Sequence, residues 1–301
     1  MAKILITGGS GLVGRAISEL LLKKGHEISW LSREKGNWRS IQKFRWDLKS
    51  GYIDEAAFTG VEALIHLAGT GIIDKLWTNA FKKEIIASRV KSSQLLFDTI
   101  SKNNFEIKTL VGSSAVGYYG SVQSEHCYSE NDAPGSDFLA QTCIAWEKSY
   151  APFINSGIRT VIIRTGVVLS KEGGAYEKML PAFRLGLGAP LASGKQYFPW
   201  IHIKDLAGIF IHALLHENMS GPYNAAASRP VNNREFSREL AKSLNRPLLL
   251  PPVPAFVLKL ALGERAVTIT SGLKINNKKI KAAGFEFEFD DLENALKNLR
   301  I

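Results

Sequence analysis

Short runs of consecutive apolar residues recur along the chain, separated by stretches in which apolar residues return at helical spacing. The runs are typical of strands buried on both faces of a parallel sheet, and the stretches between them of amphipathic helices. The pattern predicts strands at 4–6, 26–33, 41–46, 63–69, 110–114, 160–169 and 223–226. It predicts helices at 12–24, 77–102, 137–150, 201–216, 255–262 and 290–299, and one that begins at Asn232 or Asn233. We therefore expect an α/β fold around a doubly wound parallel sheet.

The first strand leads directly into a glycine-rich turn. Gly8, Gly11 and Gly14 are three residues apart, a spacing that allows a sharp bend, a close approach to an anion and tight packing of the next helix on its strand. The helix that begins at Leu12 directs its free N–H groups and the positive end of its dipole at whatever the turn holds. Strand, turn, helix and second strand together predict a dinucleotide-binding site.

The end of the second strand indicates which dinucleotide is bound. NAD is typically recognised there by a carboxylate on the ribose hydroxyls, and NADP by a cation and small polar groups on the 2′-phosphate. This chain carries Ser32 and Arg33, and the planar guanidinium of arginine matches a phosphate through two hydrogen bonds. We predict NADP(H), while Glu34 keeps NAD open as the alternative.

Composition narrows the class of protein. The chain has 301 residues, of which 45% are hydrophobic, and a formal net charge of +10, so it can bury a large core. It has no apolar run of the roughly 20 residues that a membrane span needs, and its start predicts no signal peptide. Cys127 and Cys143 are its only cysteines, which fits the cytoplasm. Its Lys and Arg residues are scattered, so we expect no nucleic acid as partner. We expect a small-molecule ligand, no membrane partner and no metal, since His212 and His216, four residues apart, have no acidic or cysteine companion nearby.

Three further strand ends carry candidate ligand groups. Asp47 follows the third strand, where its carboxylate either accepts from an adenine amino group or closes a turn. The fourth strand contains His66, an expected core histidine, and ends in small residues that leave room for a cofactor, including Ala68 and Gly69. The fifth strand ends in Ser113 and Ser114 and is followed at once by Tyr118 and Tyr119.

Several segments resemble the extended short-chain dehydrogenase/reductase family: TGGSGLVG, HLAG, GSSAVGYYG, TVIIRTGVVL and WIHIKDLAG. The block KMLPAFRLGLGAPLASGKQYFPWIHIKDLAG, with GPYNAAASRPVNNREF and LLLPPVPAFVLKLALGE, resembles the branch known as epimerase-family or sugar-nucleotide-epimerase-like proteins. The likeness covers nearly the whole chain. It implies an NADP-binding Rossmann domain, 1–169 plus 200–226, with a smaller C-terminal substrate lobe, 170–199 plus 227–301.

The resemblance also implies binding residues, position by position. It places NADP(H) on Gly8, Gly11, Leu12, Val13, Gly14, Ser32, Arg33, Leu67, Ala68, Glu84, Arg89 and Val168, to which the strand ends add Asp47 and Gly69. In extended family members the stretch 170–199 covers the active site. Arg184 and Lys195 are therefore candidate cations for a substrate diphosphate, and Trp200 is a candidate for stacking on a base or sugar. Surface charge and a core tryptophan are the alternatives.

The chain departs from the wider family at its usual acid–base pair, Tyr-x-x-x-Lys. In that pair the lysine lowers the pKa of the tyrosine, which moves the proton that accompanies hydride. Here the tyrosine position holds Leu139 and the lysine position holds Cys143, and no tyrosine of the chain has a lysine four residues later. Cys143 itself is expected to be a buried hydrophobe and not a redox thiol.

Three interpretations follow from this departure. In the first, Ser114, at the position of the family's catalytic serine, and Tyr118 take over catalysis by holding an oxyanion and moving a proton. In the second, the substrate or water supplies the proton. Both give an NADP(H)-dependent oxidoreductase or epimerase-like enzyme that acts on a nucleotide-sugar or another carbonyl or hydroxyl substrate. In the third, the chain is a non-catalytic NADPH-binding sensor or interaction module.

Overall fold

The chain folds around a central twisted sheet with helices on both faces, as seen in a computed structural model that describes residues 2–300. The strands are β1 (Lys3–Thr7), β2 (Glu27–Ser32), β3 (Gly36–Trp38), β4 (Ile41–Asp47), β5 (Tyr52–Ile53), β6 (Ala63–His66), β7 (Thr109–Ala115), β8 (Gln123–Tyr128), β9 (Arg159–Thr165), β10 (Val167–Ser170), β11 (Trp200–His202), β12 (Gly221–Ala225) and β13 (Gly272–Ile275). The α-helices are α1 (Leu12–Lys23), α2 (Asn79–Asn103), α3 (Phe138–Lys148), α4 (Ala151–Asn155), α5 (Gly174–Arg184), α6 (Ile203–Leu215), α7 (Asn233–Ser243), α8 (Ala255–Leu262), α9 (Val267–Thr270), α10 (Lys278–Ala282) and α11 (Leu292–Arg300).

The strand order of the main sheet is β12-β9-β7-β6-β1-β2-β4-β3, with β5 paired to β4. All neighbours are parallel except β3 and β5, which pair antiparallel with β4. The chain builds from β1 first to one side and then to the other, so the strand order reverses between β1 and β6. In open α/β sheets a ligand binds at such a reversal, beyond the carboxyl ends of the strands. The predicted doubly wound parallel sheet is confirmed.

Successive side chains of a strand point to opposite faces of the sheet, and this explains why the strands are continuous apolar runs in the sequence. Ile4 and Ile6 face α1 and α6, whereas Leu5 between them packs in a second cluster on the α2 side. Both clusters are fully buried, so neither face of the sheet needs polar positions.

The C-terminal part of the chain has a core of its own. α5, α7 and α11 surround buried aromatic residues that include Tyr176, Trp200 and Phe236. β13 pairs with β8, which brings this part back against the segment that follows β7.

Several element boundaries differ from those that the sequence pattern predicts. The strand predicted at 160–169 divides into β9 and β10 at Gly166, where a Cβ atom would lie 2.3 Å from the carbonyl oxygen of Pro199. The helix predicted from residue 201 begins at Ile203, because 200–202 form β11 and the His202 ring accepts from the Lys204 amide at 3.2 Å as a cap. The short strands β3, β5, β8 and β13 carry little apolar periodicity and were not predicted.

Candidate functional site

In the turn after β1, only glycine fits at positions 8 and 14. Gly8 has φ +69°, and its carbonyl oxygen accepts from the Gly11 amide at 3.0 Å. A Cβ atom on Gly14 would lie 2.4 Å from that same oxygen. α1 then begins without a side-chain cap at Gly11, which leaves its first N–H groups free for an anion.

A buried histidine ties the ends of β1 and β6 together. The Thr7 hydroxyl accepts from the amides of Leu67 and Ala68, both at 3.2 Å, and lies 2.7 Å from His66 Nδ1. Since this hydroxyl already accepts twice, its proton goes to Nδ1, and Nε2–H donates to Ser92 Oγ at 3.1 Å. Burial lowers the pKa of His66 to about 3, so the ring is neutral. The prediction that His66 is a core residue is confirmed, and it fixes the strand tip where a cofactor would lie.

Arg89 is buried directly beneath that strand tip. Its Nη1 donates to the carbonyl oxygens of Thr70 at 3.0 Å and Ile85 at 2.9 Å, and the guanidinium lies 4.7 Å from the Trp146 ring centre. Its Nε is buried without a partner. A Cβ atom on Gly69 would lie 3.1 Å from the guanidinium carbon. A buried cation with a donor to spare, under a glycine, fits a cofactor that supplies the missing acceptor.

The turn that follows β10 lies close to both Val168 and the start of α1. A Cβ atom on Gly173 or Gly174 would lie 3.6 Å from the Leu12 side chain, and on Gly174 also 3.3 Å from the Val168 carbonyl oxygen. The turn thus covers the start of α1. Glu84 lies on α2, exposed and without an ion pair among the described residues.

The groups predicted to select the dinucleotide stand at the end of β2. Arg33 is exposed and has no partner among residues 2–300, which leaves its fork free for a phosphate. Ser32 Oγ accepts weakly from the Glu34 amide at 3.5 Å. Asp47 is engaged in its own turn, where its carboxylate accepts from the Lys49 amide at 2.9 Å and lowers its pKa in doing so. This geometry agrees with the interpretation in which Asp47 closes a turn.

Arg15, on α1, is a further cation of this site that the prediction from the sequence does not include. Ser18 and Glu19, on the same face of α1, contact Trp30 of β2 at 2.9 Å and Arg39 at 2.7 Å. Arg15 lies one turn earlier on that face, toward the carboxyl end of β2, and its Nε is buried without a partner. The signal in the sequence was a cation directly after the last glycine of the turn.

Gly9 was missed in the same way. A Cβ atom there would lie 2.5 Å from the Trp30 ring, so the turn is shaped by packing on β2 as well as by its three spaced glycines. The sequence offered only the doubled glycine of TGG as a sign of this contact.

Ser114 takes part in a buried charged network at the end of β7. Its hydroxyl donates to Glu147 Oε1 at 2.7 Å, and the same carboxylate accepts from Arg164 through Nε and Nη2, both at 2.9 Å. Burial alone lowers the pKa of Arg164, but the hydrogen bonds and charge of Glu147 outweigh it and raise the pKa overall. Because its proton is directed at a carboxylate, Ser114, which is 2% exposed, has no proton left to donate to a substrate.

The two tyrosines after β7 pack on the same arginine. The Arg164 guanidinium carbon lies 3.5 Å from the ring centre of Tyr118. Tyr119 donates to Asn224 Oδ1 at 2.8 Å and accepts from Arg164 at 3.0 Å, and burial raises its pKa to about 12. Tyr119 is therefore a structural link, and Tyr118 stands beside it, partly exposed, as the free hydroxyl.

The positions of the usual acid–base pair are apolar in three dimensions too. Leu139 packs in a cluster with Trp77, Phe81 and Val267. Cys143 is buried, and burial together with the neighbouring Glu147 raises its pKa to about 12. The expectation that Cys143 behaves as a buried hydrophobe is confirmed. Neither side chain offers a proton at neutral pH.

The three predicted substrate residues are not brought together. Arg184 and Lys195 are exposed, at the end of α5 and in the loop before β11. Trp200 is 1% exposed in the core of the C-terminal part, so its ring has no face free for a base or sugar; its position is that of the core tryptophan. Residues 2–300 contain no group of three or more His, Cys, Asp or Glu side chains arranged to hold a metal ion, and none of their helices has the length and apolar character needed to cross a bilayer.

Comparisons with known proteins agree with this architecture. Residues 4–226 match the model of the NAD-dependent epimerase/dehydratase family, and residues 253–299 match a domain of unknown function, DUF1731. Human epimerase family protein SDR39U1 is 37% identical over 306 residues, which cover 99% of each chain.

Two solved structures extend the comparison. A crystal structure of human SDR39U1 (isoform 2) with NADPH superimposes with a TM-score of 0.89 at 35% identity, over 99% of this chain and 98% of that one. The nucleoside-diphosphate sugar epimerase of Corynebacterium glutamicum matches with a TM-score of 0.79 at 28% identity, over 99% of this chain and 58% of that one.

Proposed function

Because the chain belongs to the NAD-dependent epimerase/dehydratase family, we propose that it binds NADP(H) across the carboxyl ends of β1 and β6 and acts as an oxidoreductase or epimerase-like enzyme. The observation that carries the proposal is the combination of an uncapped helix over Gly8, Gly11 and Gly14 with a free Arg33 at the end of β2. The related human protein crystallised with NADPH supports the same cofactor.

The residues present fit this cofactor. The turn after β1, with Leu12 and Val13 at the start of α1, would hold the diphosphate, and Ser32 and Arg33 would hold the 2′-phosphate. Leu67, Ala68 and Gly69 leave a flat strand tip, and the unpartnered Nε of Arg89 beneath it would gain an acceptor. Glu84 and Val168 would complete the crevice. We assign Asp47 to its turn and not to the adenine.

When bound, the cofactor supplies or accepts a hydride. The chain's own contribution to proton movement is small, because Leu139 is apolar and Cys143 keeps its proton. Ser114, with its proton on the Glu147 side, would accept a hydrogen bond from a substrate hydroxyl and so orient it. Of the two tyrosines after β7, Tyr119 is hydrogen-bonded to Asn224 and Tyr118 is not. We propose that water supplies the proton to the carbonyl oxygen, at a cost of about 10² to 10⁴ in rate against a full acid–base pair.

We propose a small molecule with a carbonyl or hydroxyl group as substrate, and a nucleotide-sugar as its first candidate, since the C. glutamicum relative is named for such substrates. The segments 170–199 and 227–301 would form the substrate lobe. A second candidate function, a non-catalytic NADPH sensor, is favoured by the apolar cluster around Leu139.

One experiment separates the two candidate functions. NADPH oxidation is followed with a panel of nucleotide-sugars, aldehydes and ketones, and NADPH binding is measured on the same preparation. Turnover of any member of the panel supports the enzyme. Tight NADPH binding with no turnover across the panel supports the sensor.

A further inference from the structure

Helix α8 is an apolar helix with almost no partner. Its sequence is AFVLKLAL, and none of its residues is buried. Phe256 is 74% exposed and Leu260 is 87% exposed, one turn apart on the same face. A helix that is apolar on all sides is normally covered by protein or by lipid.

This helix is part of a larger surface, which we call the α8 face and define as residues 184–195 and 245–262. The two segments are joined by their backbones, since the Val253 amide donates to the Pro190 carbonyl oxygen and the Ala192 amide to the Val253 carbonyl oxygen, both at 2.9 Å. Of the thirteen large apolar side chains that stand exposed among residues 2–300, seven lie in these two segments, including Leu185 and Leu249. Concentration at this scale marks a binding surface.

The segment that follows α8 is anchored to the rest of the chain. The single-turn helix that follows α8 is fixed by an ion pair between Glu264 and Lys82 and by a hydrogen bond of 2.8 Å from Arg265 to the Ile73 carbonyl oxygen. The exposed side chains are therefore displayed by an ordered element and are not part of a loose loop.

Charge indicates what covers this face. The two segments contain Arg184, Lys195, Arg246 and Lys259 and not one Asp or Glu. All four cations are exposed and have no ion pair among the described residues. A second copy of the chain related by a twofold axis would bring these like charges together, and the nearest acid after α8, Glu264, already pairs with Lys82. Apolar side chains set among Lys and Arg are instead the composition of helices that lie in the interface of an anionic bilayer.

We propose that the α8 face docks peripherally on an anionic lipid surface, with Phe256 and Leu260 entering the interface and the four cations contacting lipid headgroups. This docking replaces the expectation of no membrane partner, which rested on the lack of a spanning run, because an interfacial helix lies in the membrane plane and needs no such run. Neither cofactor binding nor turnover is needed for it, because the face is built from residues outside the crevice described above. The exposed cations Arg184 and Lys195 would then serve lipid headgroups and not a substrate diphosphate.

The test is co-sedimentation of the full chain with vesicles of phosphatidylcholine alone and of phosphatidylcholine mixed with phosphatidylglycerol. We expect binding to the mixed vesicles only, and weaker binding as salt is raised. The double variant Phe256→Ser/Leu260→Ser should lower the partition coefficient at least about tenfold. Its matched control, Ile154→Ser/Leu215→Ser, changes two apolar side chains that are half exposed elsewhere and should leave binding unchanged.

A second pair of variants tests the charges. Arg246→Gln/Lys259→Gln should weaken binding to the mixed vesicles about tenfold. The control Lys24→Gln/Lys49→Gln changes two exposed lysines outside the α8 face and should leave binding unchanged. Thermal unfolding of each variant shows whether it is folded, and the salt series on the unchanged chain needs no variant. The proposal is overturned if the chain ignores mixed vesicles, or if both double variants bind as the wild type does. It is equally overturned if light scattering shows that Phe256→Ser/Leu260→Ser dissociates a dimer while vesicle binding is absent, since the partner is then a second copy.

Discussion

The Ser114 hydroxyl lies 2.7 Å from Glu147 Oε1 and donates its proton there. A serine at this position would polarise a substrate carbonyl only if it could donate to it. Glu147 is held by two further hydrogen bonds from Arg164, so the serine proton stays hydrogen-bonded to the carboxylate and is not available to a carbonyl. No tyrosine of the chain has a lysine four residues later, and the Ser114 proton is directed to Glu147, which is why we propose that water supplies the proton.

The serine's role predicts a split between turnover and cofactor affinity. Ser114→Ala should lower turnover of an active substrate by about tenfold or more, because an orienting hydrogen bond is lost, and should leave NADPH affinity within about twofold. Steady-state kinetics and calorimetry on the same protein measure both quantities. Unchanged turnover would remove Ser114 from the site.

The buried ion pair predicts a large loss of stability. Glu147→Gln leaves the Arg164 charge, which is 3% exposed, without its counterion, and such losses cost about 3–5 kcal/mol. Ser114→Ala removes one hydrogen bond to the same carboxylate and should cost less, about 1.5–3 kcal/mol, the value of a hydrogen bond to a charged group. Urea unfolding of the two variants, side by side, measures the difference; equal losses would contradict the network.

His66 predicts how stability changes with pH. Its pKa is about 3 in the folded chain and about 6.5 when unfolded. The contribution of His66 to the free energy of unfolding is therefore complete above pH 6.5 and is lost as the pH falls toward 3. By pH 5 the loss should reach about 2 kcal/mol. His202, with a pKa near 4, acts in the same direction, and Asp205, with a pKa raised by burial to about 6, acts in the opposite one.

A variant without the titrating ring isolates the contribution of His66 to the pH dependence of stability. His66→Gln keeps polar atoms between Thr7 and Ser92 but does not titrate, so its free energy of unfolding should change less between pH 7.5 and pH 5 than that of the wild type. Urea unfolding at the two pH values measures this. If both proteins lose the same amount, His66 is not the group responsible.

Arg15 predicts a second cation for the 2′-phosphate. Arg15→Gln should weaken NADPH binding about tenfold, the value of a charge-assisted hydrogen bond, with little effect on NADH, which has no phosphate there. Arg15→Lys should recover part of the loss, and Lys23→Gln, at the far end of α1, should have no effect. Equal losses for the two coenzymes would mean that Arg15 acts only on the fold of the turn.

Local pattern was sufficient for the parallel strands of the main sheet, the turn after β1 and the core histidine, because buried strands and glycine spacing leave a direct trace in the sequence. What it could not supply were contacts made between distant segments. Gly166 breaks a strand because Pro199 lies across it. Arg15 is distinguished by contacts of its neighbours on α1 with Trp30 of β2 and with Arg39, which follows β3. The environment of Trp200 and the partner of Ser114 likewise depend on segments far away in the chain.

The central claim is that the turn after β1 and the cation at the end of β2 together select the phosphorylated dinucleotide. Calorimetric titration of NADPH and NADH into the wild type, Arg33→Asp and the control Lys24→Asp tests it most directly. The account predicts one NADPH site per chain, tighter than NADH by at least about tenfold, with the preference lost in Arg33→Asp and kept in Lys24→Asp. Equal affinity of the wild type for both coenzymes, or binding of neither, would contradict it.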